Sequence, residues 1–149
     1  MTDLSKGIIE INCFTFHPGT TIDEVKKFFG ENIRVLELST GTKIKFFKQV
    51  YLTENIYAYA FNFNKHGILT NFSLNPSIPS ELDGKYVETS KYKVDISKKW
   101  LKSKIVEPST SEGLESILYA YDWGYIRSAT HSDPHYGLVG GEITIRYEE

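Results

Sequence analysis

Cysteine occurs once in the 149 residues, at Cys13, which excludes an intrachain disulfide and makes a reducing compartment the natural setting. No apolar run approaches the roughly 18 to 20 residues that a membrane span needs. The opening, Met1 to Lys6, is polar and lacks the apolar core of a secretory signal, so a cytoplasmic protein without membrane attachment is expected. Neither GxxxxGKS/T nor GxGxxG occurs, so the sequence offers no phosphate cradle. A second cysteine and a Glu-x-x-His pair are also missing, which leaves the two principal metal-ligand spacings without support.

What is present is aromatic. Phe, Trp and Tyr make up 14% of the chain, with 10 Tyr and 9 Phe, a composition that favours pleated, half-buried surfaces. One pattern occurs twice: Ile56-Tyr57-Ala58-Tyr59-Ala60-Phe61 and Leu118-Tyr119-Ala120-Tyr121-Asp122-Trp123. Each alternates with a period of two, so Tyr57, Tyr59 and Phe61 are expected on one face, and Tyr119, Tyr121 and Trp123 on the equivalent face. Both segments read as inner strands of two sheets or of two halves of one large sheet.

In chain order, Gly7 to Phe16 reads as a strand that includes Cys13, and Pro18-Gly19 as a turn. Thr21 and Glu24 form a capping box for a short helix whose stripe is Ile22, Val25, Phe28 and Phe29, with Gly30 at its end. Four strand-like runs follow, Arg34 to Leu38, Lys43 to Leu52, Ile56 to Asn64 and Leu69 to Leu74, with turn residues between them. Residues 76–85, rich in Pro, Ser and Asp-Gly, read as a linker. The second half restarts with Tyr86-Val87-Glu88, and then comes a helix capped by Asp95 with Ile96, Trp100, Leu101 and Ile105 inward. Ser109 to Gly113 reads as loop, and strands over Ile117 to Trp123, Tyr125 to Thr130 and Glu142 to Tyr147 complete the chain. The expected fold is α+β: antiparallel meander sheet with one helix packed per half, in a tandem repeat of 7–75 and 86–147 within one compact domain.

Charge is unevenly distributed. The net charge is −2, yet Lys91 to Lys104 holds six lysines against Asp95, and Ile105 to Glu149 holds two arginines against eight acids. An acidic block of that kind steers basic partners by its summed field. The lysine run with Tyr92 and Trp100 combines charge with stacking surface, as single-stranded nucleic-acid sites do. A solvated helix face explains the same lysines, and the acidic third opposes phosphates, so nucleic acid is not the expected partner.

Catalytic and metal readings are weak. His131, Asp133 and His135 alternate as ligands would on an extended strand, but Pro134 and Gly137 make this a hairpin tip. Cys13 lies in an apolar run, and His17, past its end, has no orienting acid. No catalytic residue, metal or cofactor is therefore expected. Core packing accounts for most tyrosines. An exposed subset drawn from Tyr57, Tyr59, Tyr119, Tyr121, Tyr125 and Tyr136 suits protein binding, because Tyr is amphipathic and loses little side-chain entropy when fixed. The candidate contacts are Tyr119, Tyr121, Asp122, Tyr125, Asp133, Tyr136 and Glu142.

Phe16 to Val25 with Gly30 resembles the Pro-Gly-Thr-x-x-Glu-Val…Gly opening of small helix-plus-sheet modules, among them tandem β-lactamase-inhibitor-like proteins and outer-membrane assembly lipoproteins. Tyr121 to Ile126 and Gly141 to Tyr147 resemble segments of small immunity proteins encoded beside polymorphic bacterial toxins. The resemblance implies a protein that binds a cognate toxin domain, such as a nuclease, and blocks its active site stoichiometrically, without turnover. A small-ligand or nucleic-acid binding module of the helix-on-sheet type is the alternative.

Overall fold

A computed structural model describes residues 1–148. Its frame is an antiparallel sheet of eight strands. Before the sheet come a short hairpin, β1 (Ile9–Ile11) and β2 (Phe14–Phe16), and helix α1 (Ile22–Phe29). The first meander is β3 (Ile33–Leu38), β4 (Gly41–Tyr51), β5 (Ile56–Phe63) and β6 (Leu69–Pro76). Helix α2 (Tyr86–Lys104) leads to the second: β7 (Ser111–Gly113), β8 (Ser116–Tyr121), β9 (Gly124–Asp133) and β10 (Gly137–Tyr147). Across the sheet the order is β3-β4-β5-β6-β10-β9-β8-β7, so each meander's last strand lies at the centre and the two pair antiparallel. No helix among the described residues is long and apolar enough to cross a membrane.

Alternation explains the strands. Ile44 is fully buried between Lys43 and Lys45, Ile126 between Tyr125 and Arg127, and Ile145 between Thr144 and Arg146. One face of the sheet is therefore apolar, and α1, α2 and the N-terminal hairpin cover it. Thr21 caps α1 by accepting from the Glu24 amide, which leaves Val25 and Phe29 to bury against the core. A run of rings crosses this face from β5 to β9's turn. Phe16 stacks on Phe61 at 4.5 Å, Phe61 on Phe72 at 5.1 Å, and Tyr147 and Tyr121 flank Trp123 at 5.5 and 5.2 Å. Rings at these separations add about 0.5–1.5 kcal/mol per pair to the burial of their area.

Helix α2 packs directly on β10 at Gly141. Ser97 donates a hydrogen bond to the Gly141 carbonyl at 2.8 Å, and Ser128 donates to the same oxygen at 2.9 Å. Gly141 has φ +96°, and a Cβ there would sit 2.5 Å from Lys93 Cβ, so only glycine permits this approach. The N-terminal segment is tied across the core by Trp123 Nε1 donating to the Ser5 carbonyl and by the Tyr147 hydroxyl donating to the Gly7 carbonyl.

Several expectations are corrected. Helix α2 starts at Tyr86 and not at Asp95, so Tyr86-Val87-Glu88 is its first turn; Tyr86 packs its ring on Tyr136 and Thr89 reaches back to the Leu82 carbonyl. Asp95 therefore lies mid-helix and caps nothing. Cys13 is exposed in the β1–β2 turn, where it and Asn12 take positive φ (70° and 52°). Ser111–Gly113 is a strand, so each half runs helix, then four-stranded meander. That shared order is as far as the repeat expectation reaches. The two Tyr-Ala-Tyr segments fall on inequivalent strands, third of one meander and second of the other, and face opposite ways.

Candidate binding face of the sheet

The opposing faces follow from a bulge. Ala58 pairs with Leu74 but Ala60 with Ser73, so the extra residue turns Phe61 into the core while Tyr57 and Tyr59 point outward. In β8 the register holds, and Tyr119 and Tyr121 point inward, opposite Ile126 and Gly124.

The outward face of the sheet carries two continuous rows of cross-strand neighbours. One runs Arg34, Lys45, Ala60, Ser73, Thr144, Arg127, Leu118, Ser111, through all eight strands. The next runs Leu36, Lys43, Asn62, Asn71, Arg146, Tyr125, Ala120. Together they hold five cations and no carboxylate. None of the five forms an ion pair among the described residues. Neighbouring like charges are tolerated because each head group reaches water along its apolar stem.

Polar side chains on this face are interlocked. Asn62 Nδ2 donates to Asn71 Oδ1 at 2.8 Å, Asn71 Nδ2 donates to Thr70 Oγ1 at 3.2 Å, and Thr70 donates to the Asn62 carbonyl. Lys45 Nζ sits 4.9 Å from the centroid of the Tyr59 ring, and the Arg127 guanidinium 5.7 Å from that of Tyr125. Tyr57 packs at a tilt against Tyr51, accepts from Asn75 Nδ2 at 2.8 Å, and has its pKa raised chiefly by desolvation. Two recesses lie beside the arginines of this face. One, of about 280 Å³, is bounded by Leu38, Thr42, Asn62, Thr70, Asn71 and Arg146. The other, of about 290 Å³, lies among Arg127, Thr130, His131, Glu142 and Thr144.

Of the seven residues singled out from the sequence, this face brings together Tyr125 and Glu142. Tyr119 is buried in the core at 3% exposure, which removes it from any surface contact. Tyr121 turns inward onto Trp123, and burial raises its pKa and that of Tyr119. Asp122 lies in the β8–β9 turn. Asp133 accepts from the backbone amides of His135 and Tyr136, at the opposite end of β9, where Tyr136 is exposed beside Tyr86. The tip is thus held by turn chemistry. Among the described residues no three of His, Cys, Asp and Glu gather as a metal ion would require.

The acidic block and the lysine helix meet each other. Lys102 and Lys98 lie 2.9 and 3.4 Å from the Glu112 carboxylate, and Lys91 lies 3.7 Å from Glu115. The Lys102 hydrogen bond leads the interactions that hold Glu112 below the usual carboxylate range. Trp100 is buried under this helix, so the lysine run offers no indole for stacking. The residues missed were Arg34, Lys43, Lys45, Arg127 and Arg146. Their signal was alternation with isoleucine, since a cation beside a buried strand residue must point to the other face. No protein-family model, curated protein or solved structure matches the chain.

Proposed function

We propose that the chain acts by stoichiometric binding, as an immunity protein that occludes a cognate toxin domain with the outward face of its sheet. The observation that carries this reading is a sheet face, opposite the one covered by α1, α2 and the N-terminal hairpin, that is built from Tyr, Asn, Arg and Lys. Eight strands at about 4.8 Å spacing span about 34 Å, and six residues of strand extend about 20 Å. That footprint is on the scale of the roughly 800 Å² each partner contributes to a standard protein interface. Tyr and Arg dominate the energetics of such interfaces, and fixed amides supply directional hydrogen bonds at small entropic cost. Blocking an active site requires only this kind of contact, with no chemistry by the inhibitor.

The test is coexpression with the protein encoded immediately upstream. A 1:1 complex that survives gel filtration, together with relief of that protein's toxicity, is the expected outcome. If the upstream product is harmless, or remains toxic and elutes separately, the reading fails.

A further inference from the structure

Resting on the binding reading above, we infer that the partner meets this face with carboxylates, an Asp or Glu side chain seating against Arg146. Charge is the first reason. Arg34, Lys43, Lys45, Arg127 and Arg146 project from one face with no carboxylate in either row. An acidic surface would neutralise them, whereas a basic one would leave like charges facing each other. This reverses the polarity suggested by the acidic C-terminal block, whose Glu112 and Glu115 are already matched by α2 lysines.

The recess beside Arg146 is the second reason. Its volume, about 280 Å³, has room for a side chain, and among the described residues Arg146 is the only charged one on its wall. A guanidinium presents parallel N–H donors that fit the two oxygens of a carboxylate. Asn71, directly across the strand pair from Arg146, is held by Asn62 and Thr70, so this wall is ordered before a partner arrives. Such preorganisation lowers the entropy lost on binding.

The tyrosines distinguish a protein from a nucleic acid. Single-stranded nucleic acid binds by laying bases on open aromatic faces. Here Lys45 lies over the Tyr59 ring, Arg127 lies over Tyr125, and Tyr57 is engaged by Tyr51. Glu142, in the wall of the Arg127 recess, also opposes a continuous phosphate chain crossing the face but tolerates discrete carboxylates placed to avoid it.

Fluorescence anisotropy with labelled decaglutamate and labelled decathymidylate tests the inference on the full chain. Two double variants of equal charge change are compared: Arg127→Gln/Arg146→Gln on the sheet, and Lys99→Gln/Lys104→Gln on α2. Wild type should bind decaglutamate in a salt-sensitive manner, with affinity falling about tenfold in the sheet variant and less than about twofold in the helix variant. Equal losses in the two variants, no decaglutamate binding at low ionic strength, or tighter, arginine-dependent binding of decathymidylate would each overturn it. Neutralisation of the upstream toxin is measured with the same variants. Neutralisation without peptide binding sinks only the carboxylate inference, and peptide binding without neutralisation sinks only the immunity reading.

Discussion

The two faces of the sheet share one backbone ladder and differ in nearly everything else. The covered face holds Ile44, Phe61, Phe72, Ile126 and Ile145, all at 1% exposure or less, joined by stacked rings to Phe16. One residue away along the same strands stand Lys45, Asn62, Asn71, Arg127 and Arg146, half-buried or exposed. Apolar burial contributes about 25 cal/mol per Å², so stability is concentrated on the first face. Solvated polar groups add little to folding and remain available for recognition. The consequence of a substitution is therefore set by the parity of its position in the strand.

The largest break in this contrast is Phe72→Ala. Phe72 is fully buried between Phe61 and Tyr147, and its loss should destabilise the fold by about 3–5 kcal/mol, read as a lower urea midpoint. Gly141→Ala comes next, because its Cβ would meet Lys93 Cβ at 2.5 Å and the Ser90 carbonyl at 2.8 Å with φ at +96°. About 2–3 kcal/mol of destabilisation is expected, again by urea denaturation.

Tyr147→Phe leaves the buried Gly7 carbonyl without its donor and should cost about 1–2 kcal/mol. It also has a pH signature. Burial raises the Tyr147 pKa well above its ordinary value, so above about pH 10 the unfolded chain loses this proton while the native state keeps it. Stability should fall as pH rises through that region, and the fall should be shallower in Tyr147→Phe, as followed by circular dichroism in urea. The smallest effect on folding is expected from Arg127→Gln/Arg146→Gln, within about 0.5 kcal/mol of wild type. A large loss of stability there would mean that the outward face is structural after all.

Much of the fold was legible in the sequence, because turn residues and alternation mark strands locally. Thr21 caps α1 through the Glu24 amide as expected, while the reciprocal bond to the Glu24 carboxylate does not form among the described residues, and all four strands of the first meander lie within a few residues of their expected places. Sidedness was not legible for the repeated aromatic segments. Periodicity states that Tyr57 and Tyr59 share a face but not which one, and the bulge between Ala58 and Ala60 breaks the series before Phe61. The α2 boundary was missed because Asp95 is an ordinary capping residue, while the actual start at Tyr86 rests on a contact with Tyr136, 50 positions away. The face escaped for a similar reason: its cations come from β3, β4, β9 and β10, and only the strand order makes them neighbours.

That order also carries a consequence for biogenesis. β10 inserts between β6 and β9, yet it follows both in the chain. While the ribosome is still making β7 to β9, the finished first meander presents β6 as an open ladder of unpaired amides and carbonyls. Until β10 emerges and seals that seam, the nascent chain is exposed to pairing with another copy of itself.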